Sequence, residues 1–287
     1  MELQGKDRLK FLQGIVTNDT SKLEKTGDCL ACVFLTAKGR VLADAMLYNR
    51  ETGVVVEVHE TLHATLLQHL KTHKLRSAVT FQPLALRCFL QPLGPVSHDS
   101  AREGPGGMLL AVRDPRGTDL GTRILIASDA SAPADVAVAS AQEYDRFRLL
   151  RGLPEPPELS QRVPFECNLD LLHYISFSKG CYIGQELMAR TKYRGTVRKR
   201  MQPYLTLQQD PASSPSPASA KAAQTASDAE AIEADGIPES LYESHGLGLA
   251  LFAQDGGKEG GLTEVTVRTP SGLQLAKTYR PALFNAL

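Results

Sequence analysis

Cys181 lies in the run Lys179-Gly180-Cys181-Tyr182-Ile183-Gly184-Gln185-Glu186, between a glycine turn and a stretch of helical composition over 183–191. This spacing predicts a thiol at or just before a helix N-terminus. Thiolate is the form of cysteine that attacks disulfides and binds soft metals. Unpaired N–H groups and the macrodipole at a helix start stabilise an anion by roughly 0.3–1 kcal/mol. Lys179 adds a positive charge two residues earlier, Glu186 opposes the thiolate, and Gln185 is placed to reach back to loop backbone groups. Gly180 and Gly184 permit close backbone approach by a partner, a ligand or a packed neighbour. The plain alternative is a buried cysteine serving as a small hydrophobe; the Gly-Cys-aromatic turn beside a lysine argues against it.

Other candidates are weaker. Cys29-x-x-Cys32 falls inside a strand-like run, where positions i and i+3 face opposite sides of a sheet and cannot grip one ion. Cys88 and Cys167 read as core and loop residues. His59, His63, His69 and His73 form two i,i+4 pairs, but no H-E-x-x-H glutamate stands between them, so an exposed His-rich helix is the reading. Arg190, Lys192, Arg194, Arg198, Lys199 and Arg200 form a basic run without an acid, with Tyr193 among them. That run reads as a solvated face, as a dock for RNA, phosphate or an acidic partner, or as a rim for whatever meets Cys181. No P-loop, G-x-S-x-G, dinucleotide fingerprint or paired-carboxylate signature is present.

The elements that must position these residues follow from pattern. At 287 residues the chain is long enough for one large domain or two ordinary ones. Lys plus Arg equals Asp plus Glu at 32 each, so no global field draws it to nucleic acid or anionic membranes. Five irregularly spaced cysteines point to a reducing compartment rather than a disulfide framework. No apolar run approaches the roughly 20 residues a membrane span needs. The first residues read as a charged helical pattern capped by Asp7, not as a leader. That fits the cytosol, or an organelle whose presequence lies outside this sequence.

Strands are expected over 29–35 and 41–48, joined through the turn Ala37-Lys38-Gly39, and over 53–58, with a helix from 59 to 71. Further strands are expected over 86–90, 108–112 and 123–126, then a helix over 140–150 stopped by Gly152 and Pro154. Tyr174 to Phe177 reads as extended. This irregular alternation is α+β rather than doubly wound. The stretch 208–240 is Ala, Ser and Pro with scattered acids, a composition read as disordered. Beyond it, 247–252, 263–268 and 273–277 read as three short strands.

The octapeptide resembles the signature of the YgfZ-type branch of the folate-binding, T-protein-like (GcvT-like) superfamily. Phe11-Leu12-Gln13-Gly14 with Thr17-Asn18-Asp19 is similar to its first helix and loop, and the run from Thr36 to Asp44 to its hairpin. Leu75 to Val79, Val163-Pro164-Phe165-Glu166 with Asn168-Leu169-Asp170, and Gly246 to Leu251 resemble further segments.

The resemblance implies an α+β folate-binding-type domain over 1–200, multi-lobed with a central funnel able to admit tetrahydrofolate. It also implies a C-terminal β-barrel-like domain over 201–287, here interrupted at 208–240. Eukaryotic members are mitochondrial factors acting late in the maturation of [4Fe–4S] proteins, and a plastid location is the other option. They work with A-type scaffold proteins, and no membrane or nucleic acid is implied. Carried over, Cys181 becomes a ligand to a transient [2Fe–2S] cluster shared with the partner. Lys179, Gly180, Gln185, Glu186 and Arg190 shape its site, and Asp44 faces the folate. The implied role is assembly rather than catalysis in the ordinary sense. The alternative is a tetrahydrofolate-dependent aminomethyl (one-carbon) transferase. Against it, Ala43 stands at the first place of that branch's acid pair and only Asp44 remains. Two further departures are a chain that opens almost at the helix, without the family's first strand, and Tyr174 at a place usually held by a small residue.

Overall fold

In a computed structural model, the first element is a strand, β1 (Glu2–Gln4), where the sequence suggested none ahead of the helix. Three residues are too few to show alternation. What makes them a strand is pairing with distant partners on both sides, antiparallel to β4 (Val54–Glu57) and β5 (Thr80–Gln82). Helix α1 (Arg8–Gln13) follows. Asp7 precedes it, but its carboxylate accepts from Ala78 N–H at 2.7 Å instead of capping the helix. The described residues are 1–92, 108–117, 120–130, 139–156, 158–206, 240–244, 247–253, 263–269 and 272–278.

Strands β2 (Cys29–Leu35) and β3 (Val41–Asn49) form the expected hairpin and complete an antiparallel sheet of order β2-β3-β4-β1-β5. Period-2 alternation divides its two faces. One face, with Cys32, Phe34, Leu47 and Val56, packs on α1 and on Leu66 and Leu70 of α2 (His63–Lys74). The other carries Cys29, Asp44, Tyr48 and Glu57, aligned by the register Cys29↔Tyr48 and Val33↔Asp44. A second antiparallel sheet has the order β6-β8-β7, from β6 (Leu86–Gln91), β7 (Met108–Arg113) and β8 (Thr122–Ala127).

The chain divides into two units. One comprises Met1–Ala139 and Glu155–Arg198; the other comprises Ser140–Pro154 and Lys199–Ala286. Helix α3 (Ala141–Leu150) therefore groups with the C-terminal strands. It opens on a full capping box: Ser140 Oγ accepts from Glu143 N–H, and the Glu143 carboxylate accepts from Ser140 N–H. Helix α4 (Gln185–Arg194) belongs to the first unit.

In the second unit the described strands form one antiparallel sheet of order β10-β11-β9-β13-β12. These are β9 (Lys199–Thr206), β10 (Ser240–Ser244), β11 (Leu247–Ala253), β12 (Thr263–Thr269) and β13 (Gly272–Thr278). The sequence showed three of these five. Strand β9 was hidden by its basic start. Strand β10 begins at Ser240, the last residue of the stretch expected to be disordered; 208–239 lie outside the described residues.

Candidate functional site

Two glycines with positive φ hold the cysteine loop in place. Gly39 (φ +74) ends the β2–β3 turn and Gly184 (φ +78) is the N-cap of α4. A Cβ on Gly184 would stand 2.6 Å from Thr36 O, and one on Gly39 would stand 2.6 Å from Leu187 Cβ. The hairpin turn and the start of α4 thus meet backbone to backbone, which side chains would forbid. Ile183 N–H donates to Gly14 O (3.2 Å), Tyr182 N–H to Gln185 Oε1 (3.2 Å), and Ile183 packs on the first core.

On this fastened loop Cys181 is exposed, and around Gly180 nothing stands within 4 Å of where a Cβ would be. The helix begins two residues later than expected, at Gln185, so Cys181 precedes the N-cap by three residues. Macrodipole effects fall off within the first turn, and the cysteine lies ahead of that turn.

Lys179 turns inward. Its ammonium donates to the carbonyls of Gln13 (2.7 Å), Val16 (2.7 Å) and Asn18 (2.8 Å), and lies 4.9 Å from the Tyr182 ring centroid. Burial pulls its pKa down to about 8, with Cys32 and Asp19 acting in the opposite direction. Glu186 and Arg190 pair with each other at 2.8 Å on the outer face of α4, 87% and 65% exposed. The basic run is split. Arg190, Lys192 and Arg194 lie on α4, whereas Lys199 and Arg200 open β9 in the other unit.

The remaining cysteines and histidines resolve by burial. Cys32 and Cys167 are buried, and burial pushes the Cys167 thiol up to about 12. Cys88, expected in the core, is exposed on β6, where Arg123 Nη2 donates to its sulfur at 3.2 Å. His69 packs edge-on to Phe34, and burial and then His73 push its pKa down to about 4. Among the described residues no three His, Cys, Asp or Glu side chains gather to hold a metal.

A second polar centre, which no local motif announced, lies on the other face of the first sheet. Arg116, 1% exposed, pairs with Asp114 (2.8 Å) and Glu155 (3.0 Å). Arg123 pairs with Glu57 and Asp114 and donates to Tyr48 Oη at 2.8 Å. Burial would raise the Asp114 carboxyl, but Arg116 and Arg123 outweigh it and hold it at about 2. Alternation in β3 and β4 puts Asp44, Tyr48 and Glu57 on one face and was available in the sequence. The arrival of 114–123 and Glu155 was not.

Asp44 Oδ1 and Tyr174 Oη are buried here without a hydrogen-bond partner. Burial, then the nearby Glu155, raises the Asp44 pKa to about 7. A raised carboxyl stabilises the fold fully below its ordinary value near 4, and that contribution is lost as pH rises through 7. Asp44→Asn, which stays neutral, is therefore expected to stabilise the protein by about 4 kcal/mol at pH 8 and negligibly at pH 4. Urea denaturation at the two pH values checks this. An equal effect at both would overturn it.

Comparison with solved structures defines the class of fold. The glycine cleavage system aminomethyltransferase T of Bartonella henselae covers 98% of this chain, and 82% of its own chain is matched, with TM-score 0.57 at 13% identity. The fold is that of the T-protein; at this identity the likeness speaks to fold alone. No protein-family model matches the chain. The mitochondrial iron-sulfur cluster assembly factor IBA57 of Homo sapiens is 31% identical over 76% of this chain and 67% of its own length. Its counterpart in Mus musculus is 32% identical over 76% and 66%, and the Neurospora crassa homolog 34% over 71% and 51%. This chain belongs to the IBA57 iron–sulfur cluster assembly factor family. It spans between about half and two thirds of the length of these curated relatives.

Proposed function

We propose that the chain is a mitochondrial iron–sulfur cluster assembly factor acting late in the maturation of [4Fe–4S] proteins. Cys181 is its contribution to a [2Fe–2S] cluster shared with an A-type scaffold protein. One observation carries the reading: an exposed thiol on a loop fastened from both sides. A [2Fe–2S] centre takes four protein ligands, so an accessible single cysteine suits a cluster completed by a partner. Gly180 leaves the approach to the sulfur open, and Gln185 holds the turn. Glu186 and Arg190 present a paired charge on the adjoining helix face. Membership of the IBA57 family supports the pathway and the compartment.

Tetrahydrofolate suits the polar face of the first sheet. A pterin presents N–H donors, and Asp44 Oδ1 is a buried acceptor with no donor of its own. Asp44 and Tyr174 would hold it, and when bound it supplies one-carbon chemistry. Aminomethyl transfer is the second reading, favoured by Asp44's raised pKa and opposed by Ala43 at the first acid position. Turnover of an aminomethyl donor with tetrahydrofolate by the purified protein would establish it. The C-terminal sheet reads as a small barrel, supported by the approach of its edge strands β10 and β12.

The test mixes the protein with an A-type scaffold protein, iron and sulfide. Visible absorption and a heterodimer are expected with the native chain. Neither is expected with Cys181→Ser, whose circular dichroism and melting temperature stay native. A cluster-bridged heterodimer formed by Cys181→Ser would overturn the assignment.

A further inference from the structure

We infer that Lys179 is a positioning residue: its ammonium plugs a preformed cage of three carbonyls and thereby fixes where Cys181 is presented. An ammonium has three N–H donors and no acceptor, and here each meets a carbonyl, of Gln13, Val16 and Asn18, at 2.7–2.8 Å. Gln13 is the last residue of α1, whose final carbonyls have no partner within the helix. The Tyr182 ring, next to Cys181, lies 4.9 Å from the same nitrogen, a cation–π contact.

The cage is held together by bonds that do not involve Lys179. Asn18 Nδ2 donates to Ala31 O (2.7 Å) and His173 O (2.8 Å). Thr17 Oγ1 donates to Tyr174 O (2.7 Å) and accepts from Val33 N–H (2.9 Å). The Gln13 side chain donates to Asp19 and accepts from Thr20 N–H. Removing the lysine side chain therefore leaves three partly buried carbonyls aimed at one ammonium-sized point. A planar guanidinium fork does not match that point as a compact ammonium does.

The inference rests on the proposed role of Cys181, so its test separates the two. Lys179→Ala and Lys179→Met are compared with the native chain by hydrogen exchange over 180–187, which contains the Ile183 N–H bonded to Gly14, and over 29–35 as a control. Each variant is measured in methylammonium chloride and in tetramethylammonium chloride at equal ionic strength. Protection over 180–187 is expected to fall at least tenfold, with 29–35 unchanged. Methylammonium restores it in Lys179→Ala; tetramethylammonium, which has no N–H, does not. Cluster-bridged heterodimer formation follows the same pattern.

Native protection and native cluster formation in both variants would overturn the positioning role, as would equal recovery in the two salts or global unfolding of both variants. If protection falls and recovers as expected while even the native chain forms no bridged cluster, the positioning stands and the cluster reading fails.

Discussion

Asp114→Ala is expected to destabilise the first unit by about 3–5 kcal/mol, the cost of leaving a buried charge without its partner. Asp114 accepts from Arg116 Nε (3.0 Å), Arg116 Nη2 (2.8 Å) and Arg123 Nη1 (3.2 Å), and from the Arg116 backbone N–H (3.0 Å). Both guanidinium groups are buried. Without the carboxylate they keep Glu155 and Glu57, each partly open to water, where pairing is weaker.

The same residue sets an acid limb. Its carboxyl is depressed to about 2 in the fold. A depressed carboxyl stabilises above its ordinary value near 4, and that stabilisation is lost as pH falls toward 2, about 2 kcal/mol in all. Urea denaturation followed by circular dichroism measures both effects. A loss below 1 kcal/mol, or an acid limb that survives in Asp114→Ala, would refute the account.

Gly184→Ala is the second large effect. An alanine at φ +78 takes on left-handed strain, and its Cβ would meet Thr36 O at 2.6 Å, Leu35 Cβ at 2.8 Å and Gly39 Cα at 3.1 Å. Strain of about 1–2 kcal/mol and overpacking of about 1–3 kcal/mol give an expected loss of about 2–5 kcal/mol. Two of these three contacts are backbone, so a rotamer change cannot relieve them. The structural consequence is separation of the β2–β3 turn from α4, which loosens the cysteine loop. Gly180→Ala is the control, with open space and no positive φ; its stability is expected to stay within about 0.5 kcal/mol of native. Equal melting temperatures for the two variants would show that the glycine contact does not hold the loop.

Much of the first unit, and α3 of the second, was legible from local pattern. The β2–β3 hairpin, α2, α3 and the strands of the second sheet follow from alternation, helical stripes and caps that act over a few residues. The boundaries of α4 were less legible, because Gly184 starts that helix through a contact with Gly39, far away in sequence. Strands β1 and β5 are three residues each and exist only through pairing.

The sequence by itself determined the family and singled out Cys181 as its candidate cysteine: eight adjacent residues, with the segments around Phe11 and Thr36, are enough. Only the tertiary structure decided what the neighbours do. Lys179 faces a carbonyl cage, Glu186 and Arg190 face water, and Asp44 joins Arg116, Arg123, Asp114 and Glu155 in a buried polar centre. The reason is range. Motifs and periodicity report on interactions a few residues apart, whereas the cage joins positions more than 160 residues apart and the centre draws on separate strands and loops.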